Sequence, residues 1–123
     1  FTFSHERQPF VQNIGEFQLI QQKTTDMICR LQQARHVVYQ LGRMKDAGIA
    51  RCSMEASMAK LLASKAAVAN ALDGMQIFGG YGLSAEYEIG RILLEAKAME
   101  YGEGTSELHT KLIAEYALGA RKQ

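Results

Sequence analysis

EFQLIQQKTTDMICRLQQARHVVYQLGRMKD, residues 16–46, holds Phe17, Ile20, Thr24, Met27, Leu31, Ala34, Val38 and Leu41 at alternating steps of three and four. That spacing lays a heptad-like stripe along one side of a helix. Gln21, Gln22, Lys23, Asp26, Arg30, Gln32 and Gln33 interleave with it and furnish a solvated side. A helix with one apolar stripe has to lay it against other helices, so the stretch predicts a bundle member.

Working outward, residues 53–78 carry Met54, Met58, Leu61, Leu62, Val68, Leu72 and Met75, together with seven alanines between positions 56 and 71. Small side chains let helices approach closely, so this is expected to be the most buried helix. The methionines here and at Met27 and Met44 read as adaptable core filler. A break at Gly79-Gly80-Tyr81-Gly82 precedes a shorter amphipathic segment over about residues 86–99. A second glycine turn, Gly102-Glu103-Gly104, then leads into a last helix near Thr105. Thr105 suits the N-cap, Glu107 the first turn, and Leu108, Leu112, Ile113 and Tyr116 the apolar face. The single proline, Pro9, leaves nearly the whole length free to be helical, and no stretch alternates with period two. The expected fold is all-α, an antiparallel four-helix-bundle-like domain over residues 1–123. The abrupt aromatic start, Phe1-Thr2-Phe3, suggests one domain of something longer; the alternative is a tail that packs both phenylalanines on the bundle.

At 123 residues the chain is the size of one ordinary domain. Its 47% apolar and 22% charged residues exclude disorder. With 14 basic and 13 acidic residues the net charge is +1, and no basic cluster interleaves with aromatics, which argues against a nucleic-acid partner. No run of about 18 apolar residues spans a bilayer and no signal pattern opens the chain, so the expected location is cytoplasmic, or the mitochondrial matrix in a eukaryote. Cys29 and Cys52 lack CxxC or zinc spacing and read as reduced, buried thiols.

A helical bundle invites a di-iron site, which needs Glu-x-x-His pairs. None is present: His5, His36 and His109 are scattered, Glu107-Leu108-His109 has the wrong spacing, and no metal is expected. Each histidine reads as a surface or hydrogen-bonded residue. The glycine turns say more, because glycine lets a backbone come close to a ligand and leaves N–H groups free for anionic oxygens. Gln76-Ile77-Phe78-Gly79-Gly80-Tyr81-Gly82 is such a cradle, although the same cluster serves as a helix C-cap and turn. Glu103 stands between two glycines and is sterically open; a carboxylate so placed, if shielded from water, is suited to taking a proton. The competing reading is an exposed loop glutamate.

Arg7-x-x-Phe10, Ile14-Gly15-Glu16-Phe17-Gln18, Ala59-Lys60, the Gln76–Gly82 run, Arg91 with Ala96-Lys97, and Glu103-Gly104-Thr105-Ser106-Glu107 follow one another in an order and spacing that resembles the C-terminal helical domain of the acyl-CoA dehydrogenase family across essentially the whole chain. The resemblance implies flavin chemistry, in which a glutamate removes the α-proton of an acyl-CoA thioester while the β-hydride passes to N5 of FAD, leaving a trans enoyl-CoA. It implies Glu103 as that base and Gly104 against the substrate. It further implies FAD contacts from Arg7, Phe10, Phe17, Gln18, Gln76, Ile77, Phe78, Gly79 and Gly80, and from Thr105, Ser106 and Glu107, with the cofactor shared between neighbouring subunits of a homodimer or homotetramer. An electron-transfer flavoprotein or similar acceptor is the implied electron partner.

Departures from the pattern are Val11 where glycine is usual, Leu94-Glu95 in place of Arg-Asp, and Gly102 where an aromatic often precedes the base, with Tyr101 displaced by one. Some members carry the base on an earlier helix, and that arrangement stays open. Family members also have an N-terminal helical and a middle β-domain that cover the flavin, so residues 1–123 alone are expected to bind FAD poorly and catalyse little. Two other functions remain in view: a helical oligomerisation module without the chemistry, and an acyl-CoA oxidase.

Overall fold

The computed structural model describes residues 1–7 and 13–121, and among them there are helices and no strand. Five α-helices follow in order: α1 (Thr2–Glu6), α2 (Gln18–Asp46), α3 (Ser53–Phe78), α4 (Ile89–Tyr101) and α5 (Ser106–Ala117). Short 3-10 helices at Ile14–Glu16 and Gly79–Leu83 sit at the junctions. The expected all-α bundle is therefore present, and its centre is α3, on which α2, α4 and α5 each pack.

The reason lies in α3's composition. Apolar side chains surround it on all sides, and its buried positions are small: Ser57, Ala59, Ser64, Ala71 and Gly74. Narrow side chains bring neighbouring helix axes close on more than one side. Cross-contacts fix the sense of the first pair. Lys23 meets Asp73 while Arg30 meets Asn70 and Asp73, so numbers rise along α2 as they fall along α3, and the two run antiparallel.

Several boundaries and placements differ from expectation. The long helix starts at Gln18 rather than Glu16, because residues 14–16 tighten into a 3-10 turn in which Gly15 lies against Ser4: an added Cβ would sit 3.2 Å from the Ser4 carbonyl oxygen. The α4 helix begins at Ile89, three residues late, since the Ser84 hydroxyl accepts from the Glu86 N–H and closes a turn there. Phe1-Thr2-Phe3 opens a short helix; Phe3 stacks on Phe78 at 4.2 Å between ring centroids, whereas Phe1 stays 70% exposed. Of the two thiols only Cys52 is buried. Cys29 is exposed because it lies on the side of α2 turned away from α3. Leu31 and Val38, assigned to the inward stripe, are more than 40% exposed. Arg30 and Val37 are half-buried beside them, drawn in with the seam that Asp73 anchors. Among the described residues no helix is long and apolar enough to cross a membrane.

Candidate functional site

Three clefts collect most of the candidate residues. The first, about 690 Å³, lies where the C-terminal end of α3 meets the start of α2. Arg7, Phe17, Gln18, Gln76, Ile77 and Gly79 all line it. Arg7 is held in place: its Nη1 donates to the Phe78 carbonyl at 2.9 Å, and its guanidinium lies 4.9 Å from the Tyr81 ring centroid. Such a cation–π contact fixes the plane of the fork. Gly79 has φ +59, a backbone that strongly favours glycine, and an added Cβ would reach 3.4 Å from Arg7 Nη1. Phe78 and Gly80 are not brought into this wall. The Phe78 ring is taken up by Phe3 and Tyr87, so its contribution is the carbonyl that seats Arg7. Phe10 and Val11 lie outside the described residues.

A second cleft, about 590 Å³, opens at the N-terminus of α5 and contains Ser106 and Glu107 with Lys65, Lys97, Tyr101 and Lys111. Thr105 caps α5 as expected, its hydroxyl accepting from the Leu108 N–H. Glu107 is held below the usual carboxylate range, first by its own backbone N–H and then by a hydrogen bond with the Thr105 side chain. The Ser106 hydroxyl is buried with no partner, although an unsatisfied buried hydroxyl is costly. Its presence beside free first-turn N–H groups fits a polar or anionic ligand at this end.

The third cleft, about 460 Å³, is the most apolar, with Ala63, Ser64, Ala67 and Met99 on its walls and Lys60, Gly102 and Glu103 at its edge. Glu103 is the one non-glycine among the described residues with positive φ, at 57°. A left-handed backbone costs a residue with a Cβ roughly 1–2 kcal/mol, and such outliers gather where geometry serves function. Gly104 follows at φ +104. An added Cβ there would fall 3.0 Å from His109 Nε2 and 3.1 Å from Leu108 Cδ2. Lys60 Nζ donates to the Gly104 carbonyl at 2.9 Å, and His109 Nε2 lies 3.2 Å from the Glu103 carbonyl. The sequence puts Lys60 in a motif without a role, and its reading of His109 as a surface or hydrogen-bonded residue agrees with this contact without showing what the histidine bonds. No local signal ties a residue on α3 to a turn 44 positions later.

The remaining departures fall on the outside. Leu94 is 74% exposed, and Glu95 forms an ion pair with Arg91 one turn back along α4. The whole of residues 1–118 matches the family model for the acyl-CoA dehydrogenase C-terminal domain. The chain belongs to the acyl-CoA dehydrogenase family. It is 42% identical over 117 residues to an acyl-CoA dehydrogenase of Bacillus subtilis (strain 168), a match covering 95% of this chain and 31% of that protein. A solved glutaryl-coenzyme A dehydrogenase in complex with glutaryl-CoA superposes with a TM-score of 0.94 at 32% identity, over 98% of this chain and 31% of that one. An FAD complex of PigA superposes at 0.89 with 32% identity, over 98% of this chain and 31% of that one. The chain thus spans about a third of the length of these relatives.

Proposed function

We propose that this chain is the helical C-terminal domain of a flavin-dependent acyl-CoA dehydrogenase, contributing the catalytic base and part of the FAD site to α,β-desaturation of an acyl-CoA thioester. The observation that carries this reading is Glu103, a carboxylate on a left-handed backbone between two glycines at the rim of an apolar cleft. FAD, when bound, accepts the β-hydride. Glu103 takes the α-proton, which the thioester carbonyl makes acidic. Gly102, which lines the cleft beside Glu103, presents no Cβ to bar the α-carbon's approach. The small, apolar walls at Ala63 and Ala67 leave room for an acyl group beside Glu103, which is itself exposed in this chain.

The residues present suit the cofactor. Arg7, Phe17, Gln18, Gln76, Ile77 and Gly79 would form one half-site, in which the seated guanidinium suits an anionic group and the glutamines suit polar ones. Thr105, Ser106 and Glu107 form the other, where the partnerless Ser106 hydroxyl gains a partner. Lys60, which reaches the Gly102–Gly104 turn, and Gln76 are sixteen residues apart on α3, about 24 Å along the axis. That separation suits half-sites that serve different flavins, each shared between neighbouring copies in a homodimer or homotetramer. An electron-transfer flavoprotein or similar acceptor reoxidises the cofactor.

The test is an anaerobic titration of the FAD-loaded, full-length protein with a panel of acyl-CoAs, followed through the flavin's own absorbance. Bleaching of the oxidised band by at least one acyl-CoA, abolished in Glu103→Gln, is expected. Retention of full flavin colour with every acyl-CoA overturns the dehydrogenase reading. In a separate air-saturated assay, oxygen consumed in step with turnover would assign an oxidase in its place.

A further inference from the structure

We propose that Lys60 and His109 are positioning residues that hold the Glu103 carboxylate on its line of attack by clamping the two peptide units that follow its Cα. This rests on the reading of Glu103 as the base. Both contacts go to main-chain oxygens rather than to the carboxylate. Lys60 Nζ donates to the Gly104 carbonyl at 2.9 Å from α3, and His109 Nε2 donates to the Glu103 carbonyl at 3.2 Å from α5. Two different helices thus grip two successive peptide units, and the carboxylate stays free for a proton.

The turn needs such a grip. Glu103 at φ 57 and Gly104 at φ +104 are consecutive residues in unfavourable or glycine-favoured backbone, and a strained turn persists only where its surroundings over-determine it. His109 also closes the space that a Cβ on Gly104 would occupy, 3.0 Å from its Nε2. The imidazole therefore fills the concave side of the turn while hydrogen-bonding across it. The clamp is strong for its size, because an ammonium donor makes a charge-assisted bond of about twice the strength of a neutral one. Proton abstraction is steeply sensitive to such placement: an error of about 1 Å costs on the order of 100-fold in rate.

The experiment compares Lys60→Met, His109→Leu and His109→Gln in the FAD-loaded, full-length protein, using the acyl-CoA that bleaches the flavin best. Lys60→Met and His109→Leu are expected to slow flavin reduction about 10- to 100-fold at saturating substrate, with KM and FAD content unchanged. They are also expected to enlarge the kinetic isotope effect of α-deuterated substrate, since proton removal becomes the slow event. His109→Gln, whose amide N–H reaches the same carbonyl, is expected to recover most of the rate. Wild-type reduction rates in both Lys60→Met and His109→Leu overturn the inference, as does a loss that follows FAD content or that His109→Gln fails to recover. If Lys60→Met does not fold, the histidine pair alone decides the matter. Glu103→Gln, run alongside, separates the two ideas: bleaching that survives it removes Glu103 as the base, while bleaching abolished in it but untouched by the clamp variants removes only the clamp.

Discussion

Two buried glycines show how the cost of adding one methyl depends on what it meets. At Gly82 an added Cβ would stand 3.0 Å from the Met75 carbonyl oxygen and 3.2 Å from Phe78 Cβ. Neither the backbone at the end of α3 nor a Cβ can step aside. At Gly74 the nearest atom is closer still, 2.9 Å, but it is Ile89 Cδ1, the tip of a side chain that rotates away. Gly74 also lies inside α3, where replacing glycine by alanine returns about 1 kcal/mol of helix propensity. Gly82→Ala is therefore expected to destabilise by about 1–3 kcal/mol, and Gly74→Ala to be close to neutral. Thermal melts of the two variants side by side check the contrast, and the reverse order would contradict it. Glu103 shows the same dependence on surroundings. Its residue type and glycine neighbours were legible in the sequence, whereas the carbonyl contacts from Lys60 and His109 come from two other helices and left no local pattern.

Between α2 and α3 the register is set by polar contacts on Asp73. Lys23 Nζ lies 2.9 Å and Arg30 Nη1 2.7 Å from its two oxygens, Arg30 also reaches Asn70, and the Asn70 amide donates to the Met27 carbonyl. Burial pushes the Asp73 carboxyl up, but the hydrogen bonds from Arg30 and Lys23 and their charges outweigh it, leaving the group below its ordinary value. A carboxylate depressed in the native state contributes stability that is fully present above its unfolded value of about 3.9 and is lost as the pH falls through the lower native value. Asp73→Asn is expected to cost about 1–2 kcal/mol near neutral pH, between an exposed and a buried ion pair. As the pH falls through that lower native value the variant and the parent should converge, because the parent's carboxylate is then titrating as well. Urea melts across that range check it; a cost that persists undiminished in acid would rule out the ionic origin. The same network explains where pattern reading slipped. Helical period identified α2 and its Ile20, Met27, Ala34 and Leu41 seam, but Lys23 and Arg30 went to the solvated side because hydropathy alone cannot see an acid waiting on the next helix.

At the scale of the whole molecule, the arrangement around α3 leaves α2, α4 and α5 with outer faces that no other described residue covers. The accessible surface is 8422 Å². A compact monomer of 13.7 kDa exposes about 6,600 Å². Among the described residues no large side chain is fully buried. Leu19, Tyr39, Leu94, Met99 and Tyr101 are each more than half exposed, which for so small a body exceeds the scattered apolar residues normal on a surface. Periodicity could not reveal this, because a stripe records that a face wants a partner without recording which chain supplies it; Leu31 and Val38 satisfied the heptad and still face outward. With a net charge of only +1, little electrostatic repulsion opposes association. Residues 1–123 produced alone are therefore expected to self-associate at micromolar concentration and to enhance the fluorescence of a hydrophobic dye. Sedimentation velocity over a concentration series, read together with dye titration, checks this. A concentration-independent monomer that ignores the dye would mean that these faces are satisfied within the chain, and the same result would remove the physical basis for assembly through this domain.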